Sequence, residues 1–320
     1  MISSLAETVP TETPRLAYFC IMFASPIPYP GNKAALLDII LENMPKHKHY
    51  VEPFCGGASV FFNKPKAELN TLNDKNEDIV NFFRVLQKEK TRIELIRRLR
   101  FTPYSRAEFR RALKIFKIGA QDEVERAWSF FILQTQGIKK LAWREAESGN
   151  GWGFRRSNSG ASSFQTYAKR IDQLERFANM LRNVQLECDD GIKVIKRYDE
   201  YNTLMLVDPP YLSETVLCKD KKYYIDNLSV DYHKELLEVL DKAKSFIILC
   251  SYPNELYDAL LDKGWKRIDK RRNIALLPRT RRIMKGSRKL DRKYIRIESI
   301  YLNPSLVEAL ERERRAPTLF

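Results

Sequence analysis

The pattern of apolar and polar positions divides the chain into two stretches of alternating strands and helices, separated by a purely helical stretch. After Lys33, apolar residues recur at helical spacing until Pro45 ends the segment. Residues 50–54 and 69–72 are short apolar runs typical of buried strands, and the glycine-rich turn 55–58 follows the first of them. A strand, a glycine turn, a helix and a second strand together predict the opening of a nucleotide-binding α/β unit.

The middle of the chain, from about residue 90 to 182, has apolar residues at helical spacing and almost no strand signal. Ser105-Arg106-Ala107-Glu108 in this stretch fits a capping box and predicts the start of a helix. Within it, residues 136–163 form a long polar stretch rich in glycine and serine, with arginine and aromatic residues interleaved. A loop of this length in a compact domain is usually either functional or disordered. Two interpretations are open: a plain connector, or a segment that contacts a nucleic acid backbone and unstacked bases. The arginine and aromatic content of the stretch favours the second interpretation.

Strands and helices alternate again after residue 182. Strands are predicted at 184–187, 203–207 and 246–250, and the arms of a terminal hairpin at 265–276 and 293–301. A helix is predicted at 254–263, with Gly264 as its C-terminal cap. The pattern predicts an α/β fold with a mostly parallel sheet and an antiparallel terminal hairpin, flanked by helices and carrying a helical insert.

The charge of the chain indicates a polyanionic partner. The 320 residues carry a formal net charge of +15 and a pI of about 9.5, and a field of that sign attracts nucleic acid. The turn at 279–293 is strongly basic, which is typical of a solvated surface and equally of phosphate contact. The candidate DNA contacts in the polar loop and in this turn are Arg144, Trp152, Arg155, Arg156, Asn158, Arg281, Arg282, Lys285 and Arg288.

The rest of the composition excludes several classes of protein. Five cysteines are scattered without a Cys-x-x-Cys pair and three histidines are too few for a zinc site, so no metal centre is predicted. No basic region precedes a long apolar core near the first residue, and no apolar run is long enough to span a membrane. We therefore expect free thiols and a cytoplasmic protein.

The strongest chemical signal is Asp208-Pro209-Pro210-Tyr211, which directly follows the apolar strand 203–207. Open α/β sheets bind ligands at the carboxyl ends of their strands, where Asp208 is expected. The two prolines lack N–H groups, so carbonyl groups of this turn can face a ligand without a competing donor. Asp208 and the Pro209 carbonyl can accept both protons of an exocyclic amine while Tyr211 stacks on the base. This arrangement predicts methyl transfer to a nucleobase amine by positioning and electrostatics, whereas the alternative is an ordinary Asp-Pro turn.

Two further segments fit a cofactor beside this loop. The glycines after the buried strand allow close approach of the backbone to a ligand, with Glu52 and backbone N–H groups near a cofactor that carries an ammonium and a carboxylate. Asp74 ends the next strand, the usual position of a carboxylate that accepts from ribose hydroxyls. The turn 29–33 supplies an aromatic ring and a cation, although alone it is typical of an ordinary helix entry.

Taken in order, these motifs resemble a known family. Tyr-Pro-Gly-Asn-Lys at 29–33, Val-Glu-Pro-Phe-Cys-Gly-Gly-Ala-Ser-Val-Phe-Phe at 51–62, a helical insert and Val-Asp-Pro-Pro-Tyr at 207–211 resemble the D12 class of DNA adenine-N6 methyltransferases. This is the Dam-like group of α-type motif order, found in restriction-modification systems, bacterial chromosomes and phages. The resemblance runs from about residue 27 to 303, and segments 72–86 and 102–106 resemble a phage or prophage branch.

The resemblance implies a class I S-adenosylmethionine-dependent methyltransferase fold, which is Rossmann-like, with the helical insert as the target-recognition domain. It implies transfer of a methyl group from S-adenosylmethionine to adenine N6 in double-stranded DNA, with the target base flipped out of the stack. The implied domains are a flexible leader (1–25), a catalytic domain (26–87 and 166–303), a helical target-recognition domain (88–165) and a C-terminal tail (304–320). The implied state is a monomer or weak dimer, and a cognate restriction endonuclease stays open as a partner.

The resemblance also implies a role for each matching residue. Asp208, Pro209, Pro210 and Tyr211 correspond to the catalytic motif. Asp190 corresponds to the acid near the adenine of the cofactor, with Asp189 as the alternative register. The implied cofactor-binding residues are Tyr29, Pro30, Gly31, Lys33, Glu52, Pro53, Phe54, Cys55, Gly56, Gly57, Asp74, Asp190 and Asp208.

Two residues depart from the family pattern. Asn32 stands where the first turn usually has a second glycine, and because asparagine tolerates positive φ we expect the turn to form. Ala58 stands for a third small glycine of the next motif, and we expect its methyl group to crowd the cofactor slightly. Two other functions stay open: methylation of cytosine N4 or of adenine in RNA, and a catalytically silent DNA-binding remnant. Cytosine is disfavoured because N4 enzymes more often have serine at the first position of the tetrad.

Overall fold

The protein is built around one mixed β-sheet. A computed structural model describes residues 25–137, 151–153, 163–212, 228–273 and 295–315. The strands are β1 (His49–Glu52), β2 (Leu69–Asn73), β3 (Val184–Glu187), β4 (Thr203–Val207), β5 (Phe246–Ser251), β6 (Lys266–Asn273) and β7 (Ile295–Leu302). They form a seven-stranded sheet with the order β3-β2-β1-β4-β5-β7-β6.

The directions of the strands confirm the predicted sheet. The five strands from β3 to β5 are parallel, and β7 pairs antiparallel with both β5 and β6. All five residues of β4 are buried, as expected of a central strand that is covered on both faces. The terminal hairpin places β7 between β5 and β6, which is the strand arrangement of a class I methyltransferase fold.

Ten α-helices lie within the described residues. They are α1 (Leu37–Glu42), α2 (Glu77–Gln87), α3 (Glu89–Arg100), α4 (Arg106–Ile118), α5 (Glu123–Gln136), α6 (Ser163–Leu181), α7 (Gly191–Tyr198), α8 (Val230–Asp241), α9 (Glu255–Asp258) and α10 (Pro304–Arg315). Short 3-10 turns cover Lys33–Ala35, Phe61–Asn63 and Leu261–Lys263. In the part of the chain that the structure describes, no helix is both long and apolar enough to cross a bilayer.

Most of these helices begin at a side chain that accepts a backbone hydrogen bond, which satisfies donors that the first turn leaves unpaired. The Ser105 hydroxyl accepts from the N–H of Glu108 at 3.1 Å, so the N-terminus predicted for α4 from its capping sequence is confirmed. Asn76, Asp122 and Ser229 cap α2, α5 and α8 in the same way.

Helices α2 to α6 pack against one another. Helices α3, α4 and α5 belong to the predicted helical insert, and α2 and α6 flank it in the sequence. Aromatic rings fill their interface, with the Phe82 ring stacked on Phe131 at a centroid distance of 5.9 Å. Trp128 is 1% exposed, and its indole N–H donates to the Thr102 hydroxyl at 2.9 Å, so this buried polar group is paired. These helices thus share one apolar core with the sheet.

Two helices were not assigned from the sequence. Helix α8 follows β4, and helix α10 occupies most of the segment assigned to a C-terminal tail, with Leu306 and Leu310 buried against the core. The single helix expected at 254–263 is a short α-helix followed by a 3-10 turn. It ends as predicted at Gly264, whose φ of 87° is the left-handed value favoured by glycine.

Three of the five cysteines lie within the described residues, and all three are free thiols as expected. Cys55 and Cys250 are buried, whereas Cys188 is exposed. Cys20 and Cys218 lie outside the described residues.

Candidate active site

A cleft opens at the edge of the sheet where β1 to β4 end. It encloses about 1050 Å³ of empty space, including its open mouth. All thirteen residues predicted to bind the cofactor line it. They come from the turn before α1, the turn after β1, and the residues that follow β2, β3 and β4. The carboxyl ends of neighbouring parallel strands meet at one edge of the sheet, which brings these distant segments together.

The turn before α1 is shaped by Gly31 and not by Asn32. The turn forms as expected, but Gly31 has the positive φ, 78°, whereas Asn32 has a φ of −48°. The Asn32 carboxamide oxygen instead accepts from the N–H of Ala34 at 2.7 Å and caps the 3-10 turn that begins at Lys33. Asparagine therefore has a structural use here that glycine would lack.

The glycine turn after β1 lies against the segment 25–29. A Cβ atom at Gly56 would be 2.9 Å from the Tyr29 ring, and one at Gly57 would be 2.8 Å from the Ser25 hydroxyl. Ala58 is fully buried and is not part of the cleft wall, so the expected crowding of the cofactor by its methyl group is not supported. Its φ of 52° costs about 1–2 kcal/mol of backbone strain instead.

Glu52, the last residue of β1, is a buried carboxyl group in the cleft wall. It is 3% exposed, and its Oε1 accepts from the Tyr50 hydroxyl and from the N–H of Phe61, both at 2.8 Å. Burial raises the pKa of Glu52 to about 7, although these two hydrogen bonds and the charge of Lys64 act in the opposite direction. A cation in the cleft would therefore find a carboxyl group whose charge changes near neutral pH.

Two further carboxylates stand along the cleft. Asp74 accepts from the N–H groups of Gly56 and Asn76, both at 2.8 Å, which fixes its orientation. Asp190 caps α7 through Oδ1, which accepts from Ile192 N–H at 3.0 Å. Asp189 pairs instead with Arg197 at 2.9 Å and does not line the cleft, so the geometry supports Asp190 as the cofactor-facing acid of the two.

Asp208 lines the cleft directly after β4 and forms an ion pair with Lys33. The Lys33 Nζ is 2.6 Å from Asp208 Oδ2, 2.8 Å from the Gly31 carbonyl oxygen and 4.9 Å from the centroid of the Tyr211 ring. Burial raises the pKa of Asp208, whereas the Lys33 ammonium opposes that rise. Tyr211 is 8% exposed and meets the Tyr252 ring edge-on at 4.7 Å.

A family model decides what kind of cleft this is. The description of that model is D12 class N6 adenine-specific DNA methyltransferase, and it matches residues 29–274. The chain belongs to the D12 class. The match begins at the Tyr29 turn and includes every residue that lines the cleft.

Curated relatives of this D12 protein come from phages, archaea and bacteria. A DNA N-6-adenine-methyltransferase of Escherichia phage P1 is 29% identical over 57% of this chain and 23% of its own length. The type II methyltransferase M.MjaIII of Methanocaldococcus jannaschii is 27% identical over 57% of this chain and 66% of its own length. A DNA adenine methylase of Vibrio cholerae is 23% identical over 66% of this chain and 74% of its own length. The chain thus spans only a small part of the phage relative and about two thirds of the archaeal one.

Among solved structures, a precorrin 8W decarboxylase from Methanobacterium thermoautotrophicum aligns with 87% of this D12 chain and 93% of its own. The identity is 13% and the TM-score is 0.35.

Most of the candidate DNA contacts of the D12 chain fall outside the described residues: Arg144, Arg155, Arg156, Asn158, Arg281, Arg282, Lys285 and Arg288. Trp152 is described and is half-buried. Its indole N–H donates to Gln136 at 3.3 Å, the Arg106 guanidinium lies 4.8 Å above its ring, and Tyr104 packs at 5.6 Å. Trp152 therefore connects the polar stretch 136–163 to the end of α5 and the start of α4.

Several residues in the cleft wall were not singled out from the sequence. They are Ser59, Val60, Lys75, Asn76, Gly191, Leu206, Leu228 and Tyr232. Most are neighbours of predicted residues and carry no signal of their own. Tyr232 is different, because it comes from α8, whose apolar spacing at Leu236, Leu237 and Leu240 could have predicted the helix.

Proposed function

We propose that this protein is a site-specific DNA methyltransferase that transfers a methyl group from S-adenosylmethionine to adenine N6 in double-stranded DNA. The observation that carries the proposal is that one cleft is lined by Lys33, Glu52, Asp74, Asp190 and Asp208. Membership of the D12 class supports the choice of adenine N6 as the methyl acceptor.

The donor set of the cleft fits a zwitterionic nucleoside. Glu52 suits an ammonium group, the N–H groups of the glycine turn suit a carboxylate, and Asp74 suits ribose hydroxyls. The half-buried Phe54 ring, packed on Gly191, supplies an apolar surface for a nucleobase next to Asp190. S-adenosylmethionine has all of these groups, and when bound it supplies a methyl group on a sulfonium centre.

The catalytic loop suits an amine on a flat base. Asp208 and the Pro209 carbonyl oxygen accept hydrogen bonds from the two N–H groups of adenine N6. These bonds direct the nitrogen lone pair towards the incoming methyl group. This requires an ionised Asp208, and the Lys33 ammonium at 2.6 Å favours that form although burial opposes it. The transfer would break the bond between the methyl group and sulfur, and loss of one N6 proton to solvent would leave N6-methyladenine and S-adenosylhomocysteine. No covalent intermediate is needed, because positioning and electrostatics are sufficient for an in-line transfer.

The position of Asp208 also has a consequence for the DNA. A carboxylate that lines a cleft cannot reach an amine that is stacked inside a duplex, so the target adenine must flip out of the helix. The net charge of +15 would attract the phosphate backbone and make binding strongly dependent on salt. We propose double-stranded DNA as the partner on these grounds.

The test is to identify the methylated nucleoside. The purified protein is incubated with methyl-labelled S-adenosylmethionine and unmethylated duplex DNA or RNA, and the digested nucleosides are separated by mass spectrometry. We expect label only in N6-methyldeoxyadenosine. Label in N4-methylcytosine alone, or in RNA alone, would overturn the acceptor.

Asp208→Ala is the control for chemistry. We expect it to abolish turnover because the carboxylate that acts on the amine is lost, while circular dichroism and DNA binding stay close to wild type although Lys33 loses its ion pair. Retained methylation by this variant would contradict the mechanism. A wild-type protein that binds DNA but gives no calorimetric signal with S-adenosylmethionine would be a silent DNA-binding protein.

A further inference from the structure

We infer that Tyr232, in the first turn of α8, is a binding residue for the nucleobase of the cofactor and holds Asp190 in the orientation that recognises it. Its hydroxyl donates to Asp190 Oδ2 at 3.0 Å, and both side chains line the same cleft. The inference rests on the proposed function, because it assigns a further contact within the cofactor site.

Asp190 is held by donors on both of its oxygens. Oδ1 accepts from the N–H groups of Ile192 at 3.0 Å and Lys193 at 3.3 Å, whereas Oδ2 accepts from Tyr232. A carboxylate with bonds on both oxygens cannot rotate about its last bond without losing one of them. The remaining lone pairs therefore have fixed directions, which suits recognition of one hydrogen-bonding edge of a base.

Tyr232 is itself fixed before any ligand arrives. Its backbone N–H donates to the Ser229 hydroxyl at 3.1 Å, which caps α8. The next residue, His233, is fully buried, and its Nδ1 lies 2.8 Å from the Tyr257 hydroxyl. A side chain on a helix turn anchored in this way loses little conformational freedom when a ligand binds, which favours affinity.

The surroundings of Tyr232 suit a flat ring. Phe54 and Tyr232 belong to the same apolar cluster, and both line the cleft beside Gly191. Burial and the charge of Asp190 both raise the pKa of the Tyr232 hydroxyl, so it remains a hydrogen-bond donor at neutral pH. This end of the cleft therefore combines aromatic faces with an oriented carboxylate acceptor.

The test compares two ligands that differ only in the base. S-adenosylhomocysteine carries the amino group that an oriented Asp190 can accept from, whereas S-inosylhomocysteine has a carbonyl in its place. Their dissociation constants are measured by calorimetry for wild type and Tyr232→Phe. Tyr198→Phe is the matched control, because the Tyr198 hydroxyl donates to Glu187 at 2.7 Å and Tyr198 does not line the cleft.

We expect Tyr232→Phe to weaken S-adenosylhomocysteine about tenfold and S-inosylhomocysteine about twofold, in line with the loss of one charge-assisted hydrogen bond that orients the acceptor. In turnover assays the KM for S-adenosylmethionine should rise by more than kcat falls. Tyr198→Phe should change either dissociation constant by less than about twofold.

Two results would overturn the inference while leaving the proposed function intact. One is an unchanged dissociation constant for S-adenosylhomocysteine in Tyr232→Phe. The other is equal weakening of both ligands, which would indicate general loosening of the site. A wild-type protein that binds neither ligand would overturn the proposed function itself, and the inference with it.

Discussion

We predict that the pKa of Glu52 makes cofactor binding sensitive to pH. Burial raises this pKa to about 7, so near neutral pH the side chain is divided between its charged and neutral forms. An ammonium group favours the charged form, so binding should lower the pKa and release a proton. The affinity for S-adenosylhomocysteine should therefore fall as the pH falls through 7.

The size of the effect follows from the ionised fraction. For a pKa of about 7, that fraction is about 0.9 at pH 8 and about 0.1 at pH 6, so affinity should fall about tenfold, or about 1.4 kcal/mol. At pH 6, binding should release about 0.9 proton per site. The amino group of the ligand also titrates at alkaline pH, so wild type is compared with a variant that cancels this contribution.

Glu52→Gln is that variant. Its carboxamide oxygen can still accept from Tyr50 and Phe61, so the fold of the turn should be kept, but it cannot ionise. Calorimetry between pH 6 and 8, in two buffers with different ionisation enthalpies, gives both the affinity and the number of protons released. We expect the wild-type affinity to change about tenfold more than that of the variant.

The same pH dependence in wild type and Glu52→Gln would refute the reasoning. Asp208 is the other cleft carboxyl group whose pKa burial raises, so Asp208→Asn separates the two sources. If Glu52 is responsible, Asp208→Asn keeps the wild-type pH dependence.

Three further predictions concern packing and titration. In Gly191→Ala, the new Cβ would lie 2.2 Å from the Phe54 ring, so the ring must move and the cofactor Kd should rise at least about tenfold by calorimetry; an unchanged Kd would contradict this. Thr102→Val leaves the Trp128 N–H without its acceptor and should cost about 1–3 kcal/mol in urea unfolding, whereas Thr102→Ser should cost less; equal losses would exclude the hydrogen bond as the cause. Burial lowers the pKa of His233 to about 4, so its stabilising contribution is present above pH 6.5 and is lost as the pH falls towards 4. The difference in unfolding free energy between wild type and His233→Gln should therefore shrink by about 2 kcal/mol from pH 7 to pH 5, and a constant difference would rule out this titration.

The sheet and the cleft could be predicted because their signals are local and their geometry is general. Apolar runs predicted the parallel strands, and ligands bind where such strands end. Glu52, Asp74 and Asp208 therefore come together from positions far apart in the sequence. The capping sequence at Ser105 was confirmed for the same reason, since its hydrogen bond spans only three residues.

Backbone conformation at single residues could not be predicted in this way. We expected Asn32 to tolerate a positive φ and the methyl group of Ala58 to crowd the cofactor. In these two turns a positive φ occurs instead at Gly31, Gly56 and Ala58, and Asn32 caps a 3-10 turn. The residue types alone do not show which positions have a positive φ, because φ at each position depends on the path of the whole turn.

The contact between Asp190 and Tyr232 was missed for another reason. It joins the N-terminal end of α7 to that of α8, and tertiary contacts of this kind produce no periodic pattern in the sequence. Only the helix that carries Tyr232 could have been predicted.

The most direct test of the central claim is modification-sensitive sequencing of DNA from cells that express the protein and have no adenine methylation of their own. We predict N6-methyladenine at one recurring sequence in cells with the wild-type protein and none in cells with Asp208→Ala. Unmodified adenine with both proteins, or the same modification with both, would contradict the account.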